Sequence, residues 1–160
     1  MKIGTLKIFW ERPLSKLLHI YFQNRRGMTL GVRAVVRNFN GEFLLVRHTY
    51  TPGWHFPGGG VEVGYSAEAA LADELAQETG LCLAEFIQLH GIFFNSCVSE
   101  RDHIVVYLCN ATGELPQKPP SREIAEVKYF DLGCLPPNVD PGTIRRIQEI
   151  VLKKPISRYW

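Results

Sequence analysis

The sequence predicts a mixed α/β fold of the α+β kind in one domain, and three observations carry that prediction. The chain has 160 residues, enough for one core that needs no disulfide or metal staple. Short β-branched runs bounded by turn residues recur along it, and 14 Gly and 10 Pro favour many turns and short strands. Beyond residue 28 two segments instead carry apolar residues at helical spacing, one mid-chain and one near the end. Hydrophobic residues make up 46% and charged residues 21%, which excludes disorder, and no apolar run reaches the ~18 residues a membrane span requires.

Residues 1–28 carry six bases against one acid, so this head holds +5 and the remaining residues −3 of a net charge of +2. Leu14, Leu17, Leu18, Tyr21 and Phe22 follow Pro13 at helical spacing. An amphipathic helix within a basic extension is expected, ahead of a single domain over 29–160. No secretory signal pattern is present. The apolar face of this helix suits packing on its own domain or a homodimer.

The run TLGVRAVVRN at 29–38 and EFLLVRH at 42–48 flank Asn40-Gly41, which predicts a β-hairpin. Residues 51–65 hold five glycines and form a loop. Ser66 then supplies an N-cap, Glu68 an acid in the first turn, Ala67, Ala70, Leu71 and Leu75 an apolar stripe, and Gly80 a stop. The pattern predicts a helix over about 66–79. Strands are expected at 83–95, 103–111 and 124–132, and Pro141-Gly142 opens a second helix to about 152 with Ile144, Ile147 and Val151 on one face. Cys82, Cys97, Cys109 and Cys134 lack the close spacing of zinc ligands, and three lie in or beside apolar runs where buried thiols are the default. A reducing, cytoplasmic setting is expected.

Glu74 and Glu78 stand one turn apart on the predicted helix with Gln77 beside them, projecting away from Leu71 and Leu75. An isolated acidic pair ordinarily solvates a helix face. Here a glycine loop precedes it, and glycines let main-chain groups approach an ion or phosphates closely. Carboxylates facing such a loop suit a hard divalent cation, which completes its shell with water and phosphate oxygens.

Residues 59–81 resemble the Nudix box: Gly, five residues, Glu, seven residues, Arg-Glu, an aliphatic, any residue, Glu-Glu, any residue, Gly, aliphatic. Gly59, Glu74, Leu75, Glu78, Gly80 and Leu81 fall on its positions, and WHFPGG at 54–59 is similar to the family's approach to the box. The resemblance implies an α/β/α sandwich with a mixed sheet over about 29–152. It also implies Mg²⁺-dependent hydrolysis of a pyrophosphate bond in a nucleoside diphosphate linked to another group, with Mn²⁺ as a possible substitute. Metal would be held by Gly59, Glu74, Gln77 and Glu78, and substrate by Gly58, Gly59, Gly60, Arg33 and Arg47. Strand alternation sends Arg47 and His48 to opposite faces, and Arg47 is the one expected at the site. Glu74, Glu78 and Glu100 are the expected catalytic acids, Glu100 standing for the later-loop acid that serves many members as base or extra ligand. Its competing reading is a solvated charge beside Arg101.

Three positions depart from the box. Tyr65 replaces the first Glu, Asp73 the Arg, and Gln77 the first acid of the Glu-Glu pair. A Tyr65–Asp73 hydrogen bond is expected to replace the lost pair, and Gln77 is expected to weaken metal binding. Two alternatives therefore stand beside the hydrolase: a weakened domain that binds a nucleotide or a partner, and a pyrophosphohydrolase of RNA 5′ ends. A net charge of only +2 argues against extensive nucleic-acid contact.

Overall fold

The computed structural model describes residues 27–160, and the helix expected in the basic extension lies outside them. The elements are β1 (Thr29–Val36), β2 (Phe43–His48), β3 (Trp54–His55), α1 (Ala67–Thr79), β4 (Cys82–Phe94), β5 (Asp102–Thr112), β6 (Ile124–Phe130), a 3₁₀ turn at Leu132–Cys134, and α2 (Pro141–Leu152). They form a mixed α/β sandwich. One sheet has the order β1-β5-β4, with β1 parallel to β5 and β4 antiparallel to it. The other is antiparallel in the order β3-β2-β6.

The helices cover opposite faces of these sheets. On one side Ala70, Leu71 and Leu75 of α1 pack with Val32, Ala34, Val36, Leu44, Val105 and Cys109. On the other, Ile147 of α2 packs with Val35, Phe43, Leu45, Phe93 and Val106. Alternation along β1 and β2 thus feeds both cores from single strands, as expected of strands buried on two faces.

Both caps read from the sequence, those of α1, are in place, and α2 has one that was not expected. Ser66 Oγ accepts from Ala69 N at 3.1 Å, and Gly80 adopts φ 75°, its N–H donating to Ala76 O. Asp140 caps α2 through Thr143 N at 2.8 Å.

The expected hairpin does not form. Asn38 Oδ1 accepts from the N–H groups of Asn40 and Glu42, both at 3.0 Å, so the tight turn exists. Beyond a single bridge between Arg37 and Phe43, however, β1 pairs with β5 and β2 with β3 and β6. Turn chemistry is local, whereas strand partners are chosen by burial across the whole domain. Burial of the thiols is also corrected: only Cys109 is buried, and Cys82, Cys97 and Cys134 are exposed. Among the described residues no helix is long and apolar enough to cross a membrane.

Candidate active site

A cleft of about 1070 Å³ opens where the ends of β1 and β2, the glycine loop, α1 and the start of α2 meet. Arg33, Gly58, Gly59, Gly60, Glu74, Gln77 and Glu78 all line it. Its position follows from local folding, because Ser66 starts α1 directly after the loop and the helix brings Glu74 and Glu78 back against that loop.

Glu78 is the tie between the two. Its Oε2 accepts from Gly58 N at 2.7 Å, and its Oε1 lies 3.3 Å from His48 Nε2. Glu78 is buried, contrary to the expected projection away from Leu71 and Leu75. It follows Leu75 by three residues and so shares that helix side. Burial pushes its carboxyl from an ordinary 4.5 up to about 7, with the Gly58 hydrogen bond and Arg33 opposing and Glu74 and Glu123 adding to the rise. Burial also raises Glu74, again against Arg33.

Arg33 gathers charge from four directions. Burial lowers its affinity for the proton, while Glu78, Glu74, Asp140 and Asp102 all restore it; a guanidinium stays charged in such a setting. Its Nη1 donates to Val32 O at 2.9 Å. His48 is held below its ordinary value by burial, assisted by His55 and Arg33, and its Nδ1 is buried without a partner among the described residues.

The glycines are needed for approach. Gly58 has φ 142°, and a methyl there would fall 2.0 Å from Val32 O. At Gly59 a methyl would fall 2.2 Å from Glu74 Oε1, so the carboxylate lies directly on that residue. The two sites predict different outcomes. Gly58→Ala strains the backbone and lowers stability by roughly 1–3 kcal/mol, visible as a lower melting temperature. Gly59→Ala meets only the movable end of a side chain, so it displaces Glu74 and lowers kcat/KM while the melting temperature stays within a few degrees.

Other expected residues lie elsewhere. Arg47 pairs with Glu126 across β2 and β6 and sits over the Trp54 ring with its guanidinium carbon 5.9 Å from the centroid. It lines a smaller neighbouring cavity and not the cleft, while His48 lines both. Glu100 is exposed in the loop before β5 and does not line the cleft. Tyr65, 56% exposed, and the exposed Asp73 share no hydrogen bond, because one points to water from the loop and the other from the outer side of α1. The loop is braced to the helix through Gly58 and Glu78 instead.

The cleft also gathers residues that the sequence did not single out for it. Glu123, just before β6, bears on both Glu74 and Glu78, and Asp140, Arg145, Tyr50 and Trp160 line the walls. Their separation along the chain leaves no spacing to read.

The NUDIX domain profile matches residues 27–149. This chain belongs to the NUDIX family. With it comes the general activity of a Nudix-type hydrolase, cleavage of a pyrophosphate bond in a nucleotide-linked compound. A Bacillus subtilis protein named as a candidate 8-oxo-dGTP diphosphatase is 30% identical over 121 residues, which cover 76% of this chain and 78% of that one. An RNA pyrophosphohydrolase of Baumannia cicadellinicola is 41% identical over 58 residues, 36% of each chain. Among solved structures, the MutT NUDIX hydrolase from Burkholderia pseudomallei superposes with a TM-score of 0.67 at 23% identity, covering 77% of this chain and 98% of that one.

Proposed function

We propose that this NUDIX enzyme hydrolyses the pyrophosphate bond of a small nucleoside diphosphate joined to a further group, with Mg²⁺ as its metal and Mn²⁺ as a substitute. The observation that carries the reading is the pair of desolvated carboxylates, Glu74 and Glu78, set against the glycine loop beside Arg33 in one cleft.

The donor set fits a hard cation. No donor among the described residues is hydrogen-bonded to Glu74, Gln77 offers a carboxamide oxygen, and the Gly59 carbonyl, which accepts from Val32 N at 2.9 Å, keeps a second lone pair. Among the described residues no three His, Cys, Asp or Glu side chains form a ready cage, and Mg²⁺ needs none, since one or two carboxylates plus phosphates and water suffice. When bound, the cation neutralises phosphate oxygens and charge growing on the leaving phosphate. Arg33 holds a phosphate oxygen, the Gly58–Gly60 main chain lets the diphosphate approach, and a carboxylate takes the proton of the attacking water. We assign that last role to Glu123 in place of Glu100, because Glu123 stands in the cleft with the other two acids.

The test is product release from a panel of nucleoside diphosphate derivatives with Mg²⁺, Mn²⁺ or a chelator. Turnover with metal and none with chelator is expected. Gln77→Glu restores a formal charge to the ligand set and is expected to lower the Mg²⁺ concentration for half-maximal activity by about tenfold. If neither the natural protein nor Gln77→Glu turns over while nucleotide still binds, the chain is a binding domain. A second reading, action on RNA 5′ ends, has the RNA pyrophosphohydrolase similarity in its favour. Against it, five carboxylates face three arginines around the cleft, the wrong balance for a polyanion.

A further inference from the structure

The strongest feature outside the catalytic machinery is the segment 156–160, which folds back from α2 and is held by an unusual amount of buried polar structure. We propose that its Trp160 is a substrate-binding residue, the platform on which the nucleobase of the substrate stacks, whichever base that is. The proposal rests on the nucleotide reading given above.

The segment runs beside the end of β4. Phe94 N donates to Arg158 O at 2.9 Å and Trp160 N to Phe94 O at 3.0 Å. From beneath, Glu149 Oε1 accepts from Ser157 N at 2.9 Å, Arg146 Nη1 donates to Tyr159 O at 3.0 Å, and Arg145 donates to Trp160 O. Arg146 has no exposed surface and is bonded twice to Glu149, at 2.8 and 2.6 Å. Backbone held this way in five places is positioned, and what it positions is the Trp160 side chain.

The indole lies on Gly142 at the start of α2, where a methyl would fall 2.3 Å from its Nε1, and it meets Phe93 edge-on with ring centroids 6.2 Å apart. It is only partly buried and lines the cleft that holds Glu74 and Glu78. Tyr50 also lines the cleft, but it stands with His48 at 5.3 Å and feels Glu123, Glu78 and Glu74, so it belongs with the phosphate chemistry. Trp160 lines the α2 side of the cleft with Gly142 and Arg145, with the Arg146 guanidinium carbon 5.7 Å from its ring centroid, and a diphosphate at Glu74 and Glu78 leaves that side for the rest of the substrate. Every nucleobase has a π-face, and aromatic platforms hold bases without reading their edges.

The experiment measures binding of ADP and of inorganic pyrophosphate by calorimetry with Mg²⁺, and kcat and KM on the best nucleotide substrate, for the natural chain, Trp160→Ala, Trp160→Phe and Gly142→Ala. Removing the indole is expected to weaken ADP binding and raise KM roughly 5- to 150-fold, with kcat and pyrophosphate binding little changed. Phe should recover most of the loss. Gly142→Ala, which keeps the indole but displaces it, should behave like Trp160→Ala. Unchanged ADP binding, or equal loss for ADP and pyrophosphate, overturns the role of Trp160. If Trp160→Ala unfolds, the comparison of Trp160→Phe with Gly142→Ala decides in the same way. Failure of the nucleotide reading is separate, since the natural chain would then bind pyrophosphate but not ADP.

Discussion

Glu78→Gln is expected to lower kcat/KM by on the order of 10²–10³-fold and, at neutral pH without metal, to make the protein more stable. Both effects come from one cause. The carboxyl is buried against Gly58 and His48, where ionisation is costly, and its folded value stands at about 7 against an ordinary 4.5. A group raised in this way contributes stability that is complete below about 4.5 and is lost as pH rises through about 7. The loss across that window is on the order of 3 kcal/mol. Glutamine keeps the acceptor for Gly58 N and removes the charge, so the variant should lack the decline. Thermal unfolding without metal should match between the two proteins near pH 4.5 and diverge above it, with the variant melting higher by several degrees at pH 8. Mg²⁺ should raise the melting temperature of the natural chain and leave the variant unmoved. A variant that retains turnover, or that melts lower than the natural chain at pH 8 without metal, would contradict the assignment of Glu78. This is the trade expected of a site built to receive a cation.

The segment carrying that acid was legible because every local signal agreed. Ser66, Glu68, the Ala70–Leu71–Leu75 stripe and Gly80 specify one helix, although the side of it that Glu78 takes differs from the expected one. Other parts required information that no window of sequence holds. Alternation separates Arg47 from His48, yet which of them meets the cleft depends on which face of β2 lies toward α1, and that is the face of Leu44 and His48. Arg47 goes to Glu126 and Trp54, and His48 goes to Glu78. Asn40-Gly41 forms its turn, but the strands it joins go to different sheets because each finds a more buried partner. Glu123 and Trp160 come from remote segments, so only the folded chain brings them to the cleft that holds Glu74.

The second large effect lies in α2. Glu149→Ala is expected to destabilise the protein by roughly 3–5 kcal/mol, a fall in melting temperature of about 6–20 °C. Arg146 is wholly buried, and its guanidinium carbon lies 3.8 Å from the centroid of the Phe93 ring. Glu149 is the only carboxylate bonded to it among the described residues, and the same carboxylate also holds His90 and Ser157 N. Its loss leaves a buried cation and a backbone N–H unpaired. The pH dependence has the opposite sign to that of Glu78. Burial alone would raise the Glu149 carboxyl, but the bonds from Arg146, Ser157 N and His90 bring it below its ordinary value, so its contribution is present above that value and is lost in acid. Natural and variant proteins should therefore converge in stability in acid, below the ordinary carboxylate range. Arg146→Met combined with Glu149→Ala should recover part of the loss, because no buried charge remains, whereas a double variant as unstable as Glu149→Ala alone would show that the lost anchoring of Ser157 and Tyr159, and not the stranded guanidinium, sets the cost.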